Sequence, residues 1–201
     1  VVVLSDWKNQ GRRSVWYNCR NYRVNFMCEN NIFWIRDIYR FDQRYVERYM
    51  DEICDRPLLI YDNLPVIDGN RWSGHGIRAG IYPIGPDGRE IIFDDMEVKE
   101  QGDDLKVCWK LNHDGKINCI CKPDILEWQF PSNGYGLQVV ADFKSISVDL
   151  KINADYLDFC YRGFKYSLQV VGADIDMRLT PEQVNVYLKV REKIVQIRFV
   201  Q

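Results

Sequence analysis

The chain has 201 residues, of which 46% are apolar and 13% aromatic, and its formal net charge is −2. This composition is typical of a folded globular chain and excludes a disordered, highly charged tail. The near-neutral charge gives no electrostatic reason to expect a nucleic acid or a membrane surface as the main partner, and no apolar run approaches the length of a transmembrane helix.

The first part of the chain predicts three strands, over residues 12–18, 20–28 and 32–39. The third is apolar at most positions, as in a strand buried on both faces. Arginines interleave with aromatic residues here, an arrangement that suits RNA because rings stack on bases and arginines hold phosphates. We favour the simpler interpretation that alternate residues face core and solvent. Acidic residues dilute the charge and no RNA-recognition motif is present, which disfavours direct nucleic-acid binding.

A helix is predicted over residues 42–54, where apolar residues recur every four positions. Asp42 is suited to cap its first turn, and Pro57 ends the segment because the residue before a proline avoids helical geometry. A short strand is predicted at 58–61, followed by a connection over 62–76 that is rich in Asn, Asp, Gly and Pro.

Ser73 and His75 lie in that connection and raise the question of nucleophilic catalysis. Such catalysis needs a base that is itself oriented by a third group. The sequence assigns no third group, and no nucleophile elbow is present. We therefore favour a glycine-rich loop with an exposed or capping His75.

Two turn signals, at residues 86–88 and 113–115, are flanked by β-prone runs over 79–84, 90–93, 105–111 and 116–121. They predict a meander of four or five short strands that closes into a small barrel. An acidic run over 94–104 is interpreted as a solvated hairpin or, alternatively, as an acidic rim for a basic peptide. Beyond residue 137, alternating apolar residues predict further strands.

The seven cysteines are spread along the chain rather than packed into a disulfide framework, so we expect reduced thiols and a cytoplasmic protein. The 113–115 turn is compatible with two hairpin registers, and either one places Cys108, Cys119 and Cys121 on one face. A zinc site formed by these thiolates and His113 is one alternative. Reduced thiols, one or two of them partly buried, are the favoured interpretation.

The central motifs resemble a Tudor domain. They comprise an Ala-x-x-Tyr strand at 79–82, an Asp-Gly turn, a Val-x-Trp strand at 107–109, a second Asp-Gly turn and a return strand at 117–121. The flanking stretches at 23–26, 32–35 and 130–146 resemble an extended Tudor domain, in which the Tudor barrel is inserted into a staphylococcal-nuclease-like, OB-type barrel. The last part of the chain also resembles CS-type co-chaperone sandwiches, a less favoured alternative.

The resemblance implies a mainly β (α+β) fold. It implies N-terminal strands and a linking helix of the nuclease-like subdomain in residues 1–61, a Tudor barrel in 72–130 and the rest of the nuclease-like subdomain in 131–201. Tudor domains of this kind bind dimethylated side chains in an aromatic cage, where each favourable ring contact is worth about 0.5–2 kcal/mol. Position by position, the expected cage residues are Tyr82, Ile91, Phe93, Trp109, Asn112 and His113.

Because Ile91 is aliphatic and Asn112 is not aromatic, the implied cage is degenerate. The resemblance therefore implies a non-enzymatic scaffold that binds a protein or peptide, methylarginine-containing or not, without cofactor or membrane. Its implied setting is small-RNA pathways, in the cytoplasm or in perinuclear germ granules. The alternatives are a genuine dimethylarginine reader, and a secreted, metal-binding or enzymatic β-module that uses His75, His113 and the three thiols.

Overall fold

The computed structural model describes residues 2–3, 11–53, 62–112 and 115–199. Within these ranges the chain forms one four-residue helix, α1 (Arg48–Asp51), and otherwise strands and turns. The strands are β1 (Val2–Val3), β2 (Arg13–Asn18), β3 (Tyr22–Glu29), β4 (Ile32–Arg40), β5 (Leu64–Asp68), β6 (Gly80–Ile84), β7 (Phe93–Gln101), β8 (Asp104–Leu111), β9 (Lys116–Cys121), β10 (Ile125–Gln129), β11 (Gly136–Asp142), β12 (Asp149–Asn153), β13 (Tyr156–Tyr161), β14 (Phe164–Val171), β15 (Ala173–Leu179), β16 (Gln183–Val190) and β17 (Ile194–Phe199).

The strands form two antiparallel sheets. Sheet I has the order β1-β2-β3-β4-β6-β11-β16-β15, with β5 also paired to β4. Sheet II has the order β12-β13-β14-β17-β10-β9-β8-β7. The predicted mainly-β class is confirmed.

One apolar core lies between the sheets, because every second residue of each central strand points inward. In β3 the side chains of Tyr22, Val24 and Phe26 are buried in this core. They meet rings of sheet II: Tyr22 stacks on Phe199 with centroids 4.0 Å apart, and Phe26 contacts Trp109 at 5.7 Å. The sheets are thereby fastened face to face, as in a β-sandwich.

The strand pairing differs from the arrangement of two barrels that the resemblance implies. The 86–88 turn forms as predicted, with the Gly85 N–H donating to the Arg89 carbonyl at 2.8 Å. Beyond it, however, β6 pairs with β4 and β11 in sheet I, whereas β7, β8 and β9 belong to sheet II. A turn signal indicates a local chain reversal but does not determine which sheet each strand joins. Strands from residues 1–61, 72–130 and 131–201 consequently share sheet I.

The predicted helix over 42–54 is wrong across most of its described length, since only Arg48–Asp51 is helical. The Asp42 carboxylate accepts the Arg44 backbone N–H at 3.0 Å, a local turn that competes with helix formation. The expected apolar face is not buried, because Met50 is 78% exposed, and short helices need tertiary packing to persist. The predicted strand at 58–61 lies outside the described residues. No helix in the described ranges is long and apolar enough to cross a membrane.

Candidate interaction surface

The structure places two of the predicted cage residues in the core. Trp109 is fully buried between the rings of Phe33, at 4.1 Å, and Trp128, at 5.8 Å. Phe93 is 2% exposed and meets Phe33 edge-on at 5.5 Å. A cage must leave its ring faces open to the ligand. Trp109 instead has aromatic rings stacked on both faces, and the Phe93 ring is buried against Phe33.

The other predicted cage residues lie elsewhere. Tyr82 belongs to sheet I, and its hydroxyl donates to the Arg78 carbonyl at 2.9 Å. Ile91 packs against the edge of the core and Asn112 is exposed after β8. His113 lies outside the described residues. Tyr82 and Trp109 are separated by sheet I, so the structure does not bring the cage walls together.

The prediction that three thiols share one face of a hairpin is wrong. In the β8–β9 pair Cys108 lies opposite Asn118, while Val107 lies opposite Cys119. This register differs from both expected registers by an odd number of residues, and such a shift moves side chains to the other face. Cys119 and Cys121 are therefore buried in the core, whereas Cys108 is half-buried on the outer face of sheet II. No cluster of His, Cys, Asp or Glu that could hold a metal ion occurs among the described residues.

We expect a maleimide to label Cys108 of the native protein much faster than Cys119 or Cys121. The thiolate is the reactive form, and burial raises the pKa of the Cys119 thiol. Peptide mass spectrometry after timed labelling measures the three rates, and labelling in denaturant should make them similar. Equal native rates for Cys108 and Cys119 would contradict the observed register.

The structure gives His75 a partner that the sequence could not assign. His75 Nδ1 lies 3.3 Å from Oδ2 of Asp142, a buried carboxylate that also accepts the Ser145 hydroxyl at 2.5 Å. In a catalytic triad the serine bonds the second ring nitrogen of the histidine. Here Ser145 bonds the carboxylate, and the Ser73 hydroxyl donates to the Gly69 carbonyl at 2.5 Å. The arrangement joins the 73–79 loop to β11 and is not that of a triad.

The described surface that is richest in aromatic and cationic side chains is the outer face of sheet I. It faces away from the core because its residues alternate with core residues along each strand. Trp34, Tyr39 and Tyr82 are buried, yet none of them belongs to the core cluster. The face includes Trp16, Arg23, Met27, Trp34, Arg36, Tyr39, Arg78, Tyr82, Gln138, Arg178 and Tyr187.

Arginines cover the rings of this face. The Arg23 guanidinium lies 5.3 Å from the Trp16 ring and 4.8 Å from the Tyr39 ring. Arg36 approaches Trp16 from β4 at 5.6 Å. Each such contact contributes about 0.5–1 kcal/mol at an exposed site and holds the planar cation in a defined orientation. A further cation–π contact is made by Arg78, whose guanidinium lies 4.1 Å from the centre of the Trp34 ring.

One row of side chains crosses the face at right angles to the strands. Tyr82 lies opposite Gln138, Gln138 opposite Tyr187, and Tyr187 opposite Asp176. Gln138 Nε2 donates to the Tyr187 hydroxyl at 3.3 Å. On the other side the Tyr82 ring stacks on Trp34 at 6.1 Å. The row therefore presents rings, an amide and a carboxylate on neighbouring strands about 4.8 Å apart.

A glycine allows the rings to lie flat on sheet I. A Cβ atom added at Gly80 would lie 2.8 Å from the Trp34 ring and 3.2 Å from the Tyr82 ring. Any side chain at this position would push the rings away from the strand. Gly80 therefore allows the Trp34 and Tyr82 rings to pack against the strand backbone.

Carboxylates at the edge of the face anchor some of its arginines. Glu29 binds Arg12 at 2.7 Å and Arg78 at 3.1 Å, and these contacts hold its pKa below the usual range. Asp37 binds Arg36 at 2.6 Å, but burial is the larger effect and raises the Asp37 pKa. The ion pairs at this edge join four arginines (12, 36, 71, 78) to three carboxylates (29, 37, 68), and Arg23 adds a fifth guanidinium, so these groups together carry an excess of positive charge.

Sequence reasoning identified part of this face and missed the rest. The sequence showed that arginines interleave with aromatic residues in the segments that form β2–β4. Gln138, Tyr187 and Arg78 were missed because they join the face through pairings between strands that are far apart in sequence. No local pattern predicts such pairings.

No family model and no curated protein sequence matches the chain. Among solved structures, the chain is similar to the crystal structure of 4-alpha-glucanotransferase from Thermococcus litoralis, with a TM-score of 0.47 and 11% identity. The match covers 100% of this chain and 39% of that one, so the chain spans about two fifths of the length of that structure. A likeness at this TM-score supports no inference about activity.

Proposed function

We propose that the chain is a non-enzymatic protein–protein interaction module and that the outer face of sheet I is its contact surface. The observation that carries the proposal is that arginines held against tryptophan and tyrosine rings gather on this one face. These residue types are enriched in protein interfaces, and Trp, Tyr and Arg supply most energetic hot spots.

The arrangement of these residues supports the proposal as well. Arg23 and Arg78 are held against rings, so less conformational entropy is lost when a partner binds. Tyr187 and Gln138 add hydrogen-bonding groups beside apolar surface. A flat face of this kind suits a folded partner domain or an extended peptide.

The proposal keeps the scaffold function that the resemblance implies but moves its contact surface. The core positions of Trp109 and Phe93 give no support to dimethylarginine binding at the predicted cage. The small-RNA setting and the cytoplasmic or germ-granule location stay predictions of the resemblance.

A second candidate ligand is an oligosaccharide chain, which the cross-strand row favours. Sugar rings pack on aromatic faces, and their hydroxyls pair with amides and carboxylates. Tyr187, Gln138 and Asp176 provide these groups in one line. Screening the same variants on a glycan array tests this candidate in parallel.

We expect Arg78→Glu and Tyr187→Ala each to reduce partner recovery by roughly tenfold or more, the effect of losing a hot-spot residue. Affinity capture with quantitative mass spectrometry compares each variant with the native chain. The matched control is Arg198→Glu, the same charge reversal on the outer face of sheet II.

Partners that are lost with both sheet I variants and kept with the control support the proposal. Partners that the control loses and the sheet I variants keep would place the contact surface on sheet II and overturn it. Glycan binding lost with Tyr187→Ala, in the absence of such protein partners, would favour the second candidate.

A further inference from the structure

We propose that a groove at one end of the sandwich, separate from the outer face of sheet I, binds a small organic oxyanion: a phosphate or carboxylate attached to an apolar body. The groove has a volume of about 450 Å³, within the range of small-molecule sites. The described residues that line it come from the β2–β3 turn, the segment after β4, the start of β5 and the end of β17.

Three arginines line the groove. Arg20 is exposed and makes no hydrogen bond or ion pair with any residue that the structure describes. Arg44 binds Asp42 through Nε at 2.9 Å and Nη2 at 2.7 Å. Arg40, with a side chain only 4% exposed, donates from Nη2 to Asp42 at 3.2 Å.

Asp42 cancels only part of this charge. Its carboxylate accepts from two guanidinium groups and from the Arg44 backbone N–H, and the Arg44 contacts lead in holding its pKa well below the usual range. Glu47 is the other lining carboxylate among the described residues, and it is exposed. The three guanidinium groups therefore exceed the two carboxylates by one positive charge. Guanidinium groups bind carboxylate and phosphate oxygens through paired N–H donors.

Phe41, Leu64 and Phe199 form the apolar part of the groove lining, its floor. Leu64 is 1% exposed and Phe199 is 5% exposed. Tyr45 forms part of the wall and is fixed by ring contacts to Phe164 at 5.3 Å and Tyr161 at 6.2 Å. An apolar body can pack on this floor while its oxyanion reaches Arg20 and Arg44. A neutral ligand cannot form the contact between an oxyanion and the arginines, and a ligand that carries a cationic group is repelled by them.

Calorimetric titration of the whole chain with phenyl phosphate, benzoate, inorganic phosphate and the neutral benzyl alcohol tests the inference. We expect an aromatic anion to bind more tightly than benzyl alcohol, and the tighter of the two aromatic anions identifies the preferred oxyanion. Arg20→Gln should weaken its binding by roughly tenfold, because a charge-assisted contact is lost. Glu47→Gln should strengthen binding by a few-fold, since a nearby negative charge is removed.

Arg191→Gln, an exposed arginine outside the groove, is the matched control and should leave binding unchanged. Arg20 has no described bonds to lose, so its variant should keep the fold, and a thermal melt checks this. The proposal is overturned if neither aromatic anion binds at millimolar concentration, or if Arg20→Gln and Glu47→Gln bind like the native chain. Binding of inorganic phosphate alone would also overturn it, because the apolar floor would then play no part.

Discussion

We expect Trp109→Ala to lower the free energy of unfolding by about 3–5 kcal/mol, the cost of removing a large ring from a packed core. Trp109 is fully buried and stacks between Phe33 and Trp128, so the neighbouring rings cannot close the cavity without losing their own contacts. Urea denaturation followed by circular dichroism measures the change. The cage interpretation would instead give loss of ligand with little loss of stability.

Trp16→Ala is the matched control, because it removes a tryptophan from the outer face of sheet I. It should cost about 1–2 kcal/mol, the value of its two arginine contacts. If Trp109→Ala were no more destabilising than Trp16→Ala, the core position of Trp109 would be wrong.

We expect Asp68→Ala to lower the free energy of unfolding by about 3–5 kcal/mol, as when one member of a buried ion pair is removed. The Asp68 carboxylate is 1% exposed and accepts the Tyr39 hydroxyl at 2.6 Å and Arg71 Nε at 2.5 Å. It also accepts the backbone N–H groups of Asn70 at 3.2 Å and Arg71 at 2.8 Å. Its removal leaves these donors unsatisfied beneath the outer face of sheet I. Thermal and urea unfolding both measure the loss.

Asp174→Ala is the control, because Asp174 also binds an arginine, Arg191 at 2.8 Å, but is 68% exposed. An exposed ion pair of this kind contributes at most about 1 kcal/mol. Similar losses for Asp68→Ala and Asp174→Ala would show that the Asp68 network is not buried.

The strands of the first segment were predictable because their pattern is local. Alternation predicted that successive residues face core and solvent, and in the structure Tyr17, Tyr22 and Phe26 lie in the core while Trp16 and Arg23 lie on the outer face. Where turn chemistry joined neighbouring strands, as in the β8–β9 hairpin, the pairing was confirmed but the register was not. A register depends on the whole face that is buried, which a turn signal does not include.

The candidate site could not be predicted because it depends on distant contacts. Trp109 fits the Val-x-Trp pattern of a cage wall, yet Phe33 and Trp128 make it a core residue. The helix prediction failed for a related reason. An apolar repeat over 42–54 predicts a buried face only if another element packs on it, and Val46, Met50 and Ile53 are exposed.

The central claim, that the outer face of sheet I contacts a partner, is tested most directly by photo-crosslinking. The photoreactive amino acid p-benzoylphenylalanine replaces Tyr187 on sheet I or, as the matched control, the exposed Tyr156 on the outer face of sheet II. The account predicts a defined crosslinked protein from position 187, lost when Arg78→Glu is added, and none from position 156. Crosslinks from position 156 alone would contradict it.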